Sequence, residues 1–475
     1  MKGKVEDLTG VTIASTTGRK YKIQGKIGQG AQGVVYSIAG EELVVKLYYP
    51  TGSQAIEADI LERIKCIKNI KVPRNFVAIT DIIEQPYIGY VMEKVEGYKP
   101  LNSYLIPDRN KSFPEWYNSG LGLYERLFIG YIIAKAFVSL EKQNLSYCDI
   151  SGNNILVRVV KGASVKMIDV DNIYTPGRGA AAILGTPRYI APEVVSGLRS
   201  PDVLSDNYSL AVILFELLRV GHPYISDDIL DGTPEDEEQA LNGNADYVTE
   251  ENSTNMLPAD VVFTDKLSKL FERCFVDGKV NRLNRPSASE FQNALLDATN
   301  KIIKCPNCGA WHYPRKKNGA WQGCPWCDTE TKPKARLNFY DILFAGNHYQ
   351  TLSQNDIVSI KLENTFIIKE NRKNYVKGFY LLNSSISSNI PIMTDNYVSI
   401  VHNGKGYYVY NAFSKNGIIV KQYKTQKYYR IENNMTLLLE TGDEIYFEMD
   451  GTDATKIHCG GKEYSYIKMA RFMEV

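Results

Sequence analysis

Between residues 20 and 95, short apolar runs rich in β-branched and aromatic residues alternate with breaks. YKIQGKIG (21–28), GVVYSIAG (33–40), ELVVKLYY (42–49), FVAITDIIEQ (76–85) and IGYVMEKV (88–95) predict strands. Among them, SQAIEADILERIKCI (53–67) has apolar side chains at 56, 60, 61 and 64, the recurrence of one helix face. From 98 to 300 the pattern is mostly helical, with a β-like interruption at 153–173. LFIGYIIAKAFVSL (127–140), interrupted by Lys135, and LAVILFELL (210–218) are too short to span a bilayer and predict buried helices. TETKPKAR (329–336) is polar and predicts a linker over 331–336. Residues 337–475 are dense in Tyr, Ile and Val, with turn signals at NGKG, KNG, TGD and MDGTD, which predicts an all-β domain.

Composition narrows the class. A chain of 475 residues predicts roughly three domains. A net charge of +1 gives no bias toward nucleic acid or an anionic membrane, so neither is expected as a partner. The N-terminal MKGKVEDLTG has no apolar core of a signal peptide, which predicts a cytoplasmic protein with no membrane span. Of eight cysteines, Cys66, Cys148, Cys274 and Cys459 are scattered, whereas Cys305, Cys308, Cys324 and Cys327 cluster. In a reducing compartment that pattern points to metal and not to disulfides.

IGQGAQGVVY (27–36) sets Gly28, Gly30 and Gly33 in a GxGxxG between two predicted strands. Glycines let backbone amides approach phosphate oxygens without interference from Cβ, although a tight hairpin with no ligand uses the same pattern. A strand follows and not a helix, which argues against a dinucleotide fold. That next strand carries Lys46, and Glu57 follows eleven residues later on the predicted helix.

At this spacing the chain resembles the protein kinases, and the later motifs keep the family's order. YVMEKVEG is similar to the strand entering the adenine hinge, with Met92 as gatekeeper and Glu93 to Val95 as hinge. SYCDISGNNILV (146–157) is similar to the catalytic loop, and MIDVDN (167–172) to the metal-binding Asp-Phe-Gly segment. GTPRYIAPE (185–193) matches the substrate loop and its Ala-Pro-Glu anchor. The resemblance covers about residues 20–300 and implies a bilobal fold, with a small lobe over 20–97 and a large lobe over 98–302, preceded by an N-terminal segment 1–19. It implies Asp149 as catalytic base, Lys46 on the phosphates held by Glu57, and Asn154 and Asp169 as ligands of Mg2+ or Mn2+. The ATP site it implies comprises Ile27, Gly28, Gly30, Gly33, Val35, Lys46, Glu93, Val95, Asn154 and Asp169. Asp206 is expected to brace the catalytic loop, and Arg285 to pair with Glu193. Thr186 implies Ser and Thr hydroxyls of protein substrates as acceptors.

The departures are specific. Tyr147 and Cys148 stand where the family has His and Arg, and Ser151 stands where it has the Lys that touches the transferring phosphate. DVD replaces Asp-Phe-Gly, so Asp171 lacks the backbone freedom of Gly. Cys148 cannot read an activation-loop phosphate, and Thr175 is that loop's main free hydroxyl, with Arg178 nearby; control from outside the loop is expected. None of these removes a metal or phosphate ligand essential to the mechanism. The expected activity is Ser/Thr protein phosphorylation; the alternative is a nucleotide-binding pseudokinase scaffold. The acidic stretch 226–252 is expected to be a solvated face.

CPNCGAWHYPRKKNGAWQGCPWC (305–327) holds two CxxC pairs, enough thiolates to close a tetrahedral shell with no position left for water. This predicts a structural Zn2+ in a ribbon over 303–330, held by Cys305, Cys308, Cys324 and Cys327, with His312 exposed and Trp311, Trp321 and Trp326 as cover. In 337–475, YYVYNAFSKNGIIV and LLLETGDEIYFEM are similar to the end of a forkhead-associated domain through Ser414, Asn416, Gly417, Gly442 and Asp443. That resemblance implies a β-sandwich with a phosphopeptide or protein partner. The whole is an α+β multidomain chain similar to bacterial eukaryotic-like Ser/Thr protein kinases.

Overall fold

A computed structural model describes residues 7–160, 162–174, 185–346, 356–370, 373–376, 398–411, 418–447, 455–459 and 461–475. The chain divides into two compact units, Met1–Leu296 and Asp297–Val475.

The first unit opens with a six-stranded antiparallel sheet built from β1 (Thr12–Ala14), β2 (Lys20–Gln29), β3 (Gly33–Ile38), β4 (Leu43–Tyr48), β5 (Ile79–Ile83) and β6 (Gly89–Glu93), in the order β1-β2-β3-β4-β6-β5. Alternation along the strands sends Tyr21, Ile23, Val34, Tyr36, Val45, Leu47 and Val91 into one buried cluster. Leu8 and Ile13 join it. From residue 7 on, the expected N-terminal segment is therefore part of this small lobe, because its apolar side chains cover the sheet. A strand of three residues is too short for periodicity to reveal. Helix α1 (Gln54–Lys68) starts at an N-cap, Ser53, whose hydroxyl accepts from the Ile56 amide.

The rest of this unit is helical. Val203–Arg219 is buried from Ser205 onward, as its all-round apolar sequence requires, and a reciprocal Asp202–Ser205 capping box starts it. Leu123–Glu141 packs against it. Between them, Ile155–Val159 pairs with Ala163–Met167 in an antiparallel hairpin. This hairpin is the β-like interruption seen in the sequence. It fixes the residues just before its first strand beside those just after its second: the Ile168 amide donates to the Asn154 carbonyl at 3.0 Å.

The second unit begins with two short hairpins, Ile303–Lys304 with Trp311–His312 and Lys316–Lys317 with Ala320–Trp321. Two antiparallel sheets follow. One comprises Ala335–Phe344, Ile357–Ile368, Ile418–Lys421, Tyr428–Ile431, Glu444–Phe447, Thr455–Cys459 and Lys462–Glu474. The other comprises Lys373–Val376, Val398–His402, Tyr407–Asn411 and Thr436–Leu439. Tyr407 of the smaller sheet packs on Phe472 of the larger, with ring centroids 5.3 Å apart. The expected linker is not a free tether. Thr331 is buried, and Ala335 and Arg336 already lie in a strand, because the Thr331 hydroxyl bonds His312 and Ala335 is enclosed by the sheet.

Candidate functional site

Lys46 lies mid-strand on β4 and is buried. Strand alternation puts Tyr48 on its face, and the register places Tyr90 of β6 directly opposite. All three point at Asp171, whose carboxylate is fully enclosed. Its oxygens accept from Lys46 Nζ at 3.0 and 3.2 Å, from the Tyr90 hydroxyl at 2.9 Å and from the Tyr48 hydroxyl. Burial opposes ionisation of Asp171, but Lys46 and the two tyrosines outweigh it and hold the carboxyl below its ordinary value. Burial likewise disfavours the Lys46 charge, and the Asp171 and Asp169 carboxylates more than offset this, so its pKa is raised. Asp169 lies 3.3 Å from Lys46 and is more exposed.

The expected partner of Lys46 is not there. Glu57 sits in the first turn of α1 and accepts from the amide and hydroxyl of Thr51 at 2.9 and 3.2 Å. A spacing of eleven residues brings the chain only to the start of the helix, on the side of the preceding loop. The lysine's countercharges come instead from the segment after the 155–167 hairpin.

The catalytic loop is held from both sides. The amides of Tyr147 and Cys148 donate to Asp206, the brace expected from the helix Val203–Arg219. Burial pushes the Asp206 carboxyl up to about 7, against those two donors. Tyr147 is fully buried, its ring 5.3 Å from Phe76, and its hydroxyl donates to the Ile168 carbonyl. It therefore tethers the Asp169 segment as well as packing. Cys148 and Asp169 have φ of 68° and 58°, left-handed values that cost of order 1–3 kcal/mol each for non-glycine residues. The side chain of Asn154 donates to the Asp149 carbonyl at 3.0 Å, and its amide donates to the Ser151 hydroxyl at 3.3 Å. The Asp149 carboxylate receives Asn172 Nδ2 at 3.3 Å and the Thr186 hydroxyl at 3.5 Å. Burial first, then the Asp169 charge, raises its pKa. Burial raises Asp169 too, against the pull of Lys46. In the substrate-loop anchor, Arg285 grips Glu193 in a bidentate pair of 2.7 and 2.8 Å.

The glycines of the β2–β3 hairpin divide by role. At Gly33 a Cβ would lie 2.2 Å from the Leu47 carbonyl, so the close pairing with β4 requires glycine. At Gly30 a Cβ would meet nothing within 4 Å, and at Gly28 only Val35 at 4.0 Å, so the space beside both is open, while the Gly30 amide closes the hairpin on the Gly33 carbonyl at 2.9 Å. Ile27 is half exposed beside them, Met92 is buried, and Glu93 ends β6 with its carboxylate 3.3 Å from Lys166. Val95 follows in the strand-free connection to the large lobe.

Comparison with known proteins decides the family. The protein kinase domain matches residues 21–295, more than half of the sequence. The chain belongs to the protein kinase family. Its matched region has the bilobal fold of that family, and membership implies ATP and Mg2+ as ligands. Protein kinase YegI of Escherichia coli K12 is 24% identical over 347 residues, covering 67% of this chain and 50% of that protein. Serine/threonine-protein kinase nekl-2 of Caenorhabditis elegans is 26% identical over 218 residues, 43% of this chain and 58% of that protein. A cGMP-dependent protein kinase of Drosophila melanogaster is 34% identical over 99 residues, 20% of this chain and 10% of that protein. The chain thus spans about half the length of the curated kinase YegI.

In the second unit, the thiols of Cys305, Cys308, Cys324 and Cys327 all lie within 4.8 Å of one another. Cys305 and Cys327 sulfurs are 3.6 Å apart, and those of Cys308 and Cys324 3.7 Å. A tetrahedron with Zn–S of about 2.3 Å has an edge of about 3.8 Å, so the four sulfurs fit one ion. His312 is not exposed: it is buried, with Nδ1 3.0 Å from the Tyr313 carbonyl and Nε2 3.1 Å from the Thr331 hydroxyl. Both ring nitrogens are engaged away from the sulfurs.

Of the forkhead-like positions, Ser414, Asn416 and Gly417 lie outside the described residues, as do Thr175 and Arg178 of the activation segment. Asp443 is buried and accepts from the Tyr423 and Glu440 amides at 2.8 and 2.9 Å, a turn-forming role. Among the described residues, no helix is long and apolar enough to cross a membrane.

Sequence reasoning missed Asp171, Tyr48, Tyr90 and Asn172. The alternation in VVKLYY and IGYVMEKV was the available signal: it puts Tyr48 on the Lys46 face and a polar hydroxyl opposite. A buried ammonium with two hydroxyls around it calls for an anion.

Proposed function

We propose that this protein is an ATP-dependent kinase that phosphorylates Ser and Thr hydroxyls of protein substrates. The observation that carries the proposal is the linkage of the four groups: Lys46 lies 3.3 Å from Asp169, the Asn154 side chain bonds the Asp149 carbonyl, and the Asp149 carboxylate receives the Thr186 hydroxyl at 3.5 Å. ATP enters as substrate, its phosphates under the Gly28–Gly30 backbone and against Lys46. Asp149 orients the acceptor hydroxyl and takes its proton as the new P–O bond forms and the bond to ADP breaks. Asn154 and Asp169 supply the oxygens that would hold Mg2+, which neutralises the charge on the transferring phosphate when bound. Lys46 keeps its ammonium charged, because its acidic neighbours raise its pKa.

Four cysteines at tetrahedral spacing support one structural Zn2+ in residues 303–330. The domain limits we propose are a small lobe from residue 7 to 97, a large lobe to 302, the cysteine module over 303–330 and a β-domain over 337–475. A phosphopeptide or protein partner is proposed for the β-domain on the strength of its forkhead-like sequence alone.

The scaffold alternative is favoured by one observation. Ser151 is buried and tied to the Asn154 amide, so the loop lacks the cation usually found there. Incubation of the full chain with labelled Mg-ATP and a general protein substrate, beside Asp149→Asn, separates the two readings. Transfer by wild type, reduced about 100-fold or more in Asp149→Asn, is the expected result. Nucleotide binding without transfer by either protein would establish the scaffold.

A further inference from the structure

The strand lysine of a kinase must be held in place, since a free ammonium on four rotatable bonds would not stay on the phosphates. Here α1 does not hold it. Glu57 is occupied with Thr51 at 2.9 and 3.2 Å. Farther along α1, the charged side chain nearest Tyr48 is Arg63, and a guanidinium cannot anchor an ammonium. The carboxylate that meets Lys46 most closely is Asp171, two residues beyond the metal-ligand candidate, at 3.0 and 3.2 Å and with no exposed surface. The hydroxyls of Tyr48 and Tyr90 complete its coordination, fixed by the strand register.

We propose that Asp171 is the positioning residue that holds Lys46 against the nucleotide phosphates, in the place of a glutamate on the helix. The proposal rests on the phosphotransfer reading given above. Lys46 also touches Asp169, whose side chain is 28% exposed against 0% for Asp171. When Asp169 turns to a metal ion, the buried carboxylate still holds the lysine. Both carboxylates belong to one three-residue segment that Tyr147 tethers through the Ile168 carbonyl. Lysine anchor and metal ligand are thus set by the same piece of chain. Helix α1 packs on this segment, so a displacement of the helix would reach Lys46 through Asp171 and not through an ion pair of its own.

Initial rates against ATP concentration, measured on the full chain, test the assignment. Asp171→Asn is expected to raise KM for ATP and to lower kcat/KM at least 100-fold. Lys46→Ala is expected to do the same, and the double variant should lie within threefold of Lys46→Ala alone, because both act through one ammonium. Glu57→Gln is expected within threefold of wild type. Affinity for a fluorescent ATP analogue, expected to weaken at least tenfold in Asp171→Asn, reads the anchor without turnover. Asp171→Asn within threefold of wild type in both assays would overturn the proposal. So would a 100-fold loss in Glu57→Gln, or single effects that multiply in the double variant. If Asp171→Asn does not fold, Glu57→Gln decides. If wild type binds the analogue and transfers no phosphate, the phosphotransfer reading fails while the binding comparison still tests the anchor.

Discussion

A lysine with 7% of its surface exposed keeps its charge only beside its counter-ions, and Asp171 is the main one for Lys46. Removing one partner of such a pair leaves the other charge buried, at a cost of about 3–5 kcal/mol. Lys46→Met should therefore lose stability together with activity. The hydroxyls of Tyr48 and Tyr90 still bond Asp171 in that variant, which keeps the loss at the low end, about 3 kcal/mol. For a domain of this size that is on the order of a 6 °C fall in the melting temperature of the kinase unit, read by scanning calorimetry. Asp149 has weaker contacts, at 3.3 and 3.5 Å, so Asp149→Asn should melt within about 2 °C of wild type. Equal melting of Lys46→Met and wild type would mean that the Asp171 carboxylate does not depend on the lysine. Asp149→Asn is accordingly the cleaner inactive control.

The β2–β3 hairpin does two jobs with two sets of glycines. Gly33→Ala would drive a methyl group into the Leu47 carbonyl, breaking the β3–β4 pairing that carries Lys46. Gly30→Ala meets no atom within 4 Å, so the lobe should keep its melting temperature. Its methyl does narrow the space over the phosphates, and KM for ATP should rise several-fold. Kinetics and melting of the two variants side by side check this; Gly33→Ala as stable as Gly30→Ala would remove the structural role. The strands of this lobe were legible because alternation is a two-residue signal repeated over five or more positions. β1 was not legible, with three residues and its support from Leu8 outside the strand. The catalytic loop and Asp169 could be read from spacing, because the 155–167 hairpin makes fixed spacing into fixed distance. The Lys46 anchor could not be read this way. Glu57 and Asp171 are both acidic residues near a motif, and only the third dimension shows that Asp171 is enclosed among Tyr48, Tyr90 and Lys46. The same limit hid His312, which bonds the Tyr313 carbonyl and the hydroxyl of Thr331, nineteen residues beyond His312.

At the scale of the whole molecule, the two units have separate sources of stability. The kinase unit buries a large apolar core around Val203–Arg219, whereas the cysteine module consists of two-residue strands and has little to bury. A bound ion has to supply most of its folding free energy. Three of the four tryptophans, Trp311, Trp321 and Trp326, lie in this module, and only Trp116 lies in the kinase unit. Intrinsic tryptophan emission is therefore mainly a report on the module. Elemental analysis should find one zinc per chain. A zinc-selective chelator, with Mg2+ kept in excess, should shift the emission to the red and remove amide-exchange protection across residues 303–330. Phosphotransfer should stay within twofold over the same titration, since Lys46, Asp149, Asn154 and Asp169 all belong to the other unit. Cys308→Ser, a change at the most exposed of the four ligands, should reproduce the emission shift without chelator. Protein lacking stoichiometric zinc under reducing conditions would exclude the site. Turnover falling in step with the emission change would show instead that the ion acts on the kinase, making the module a control element and not only a folded appendage.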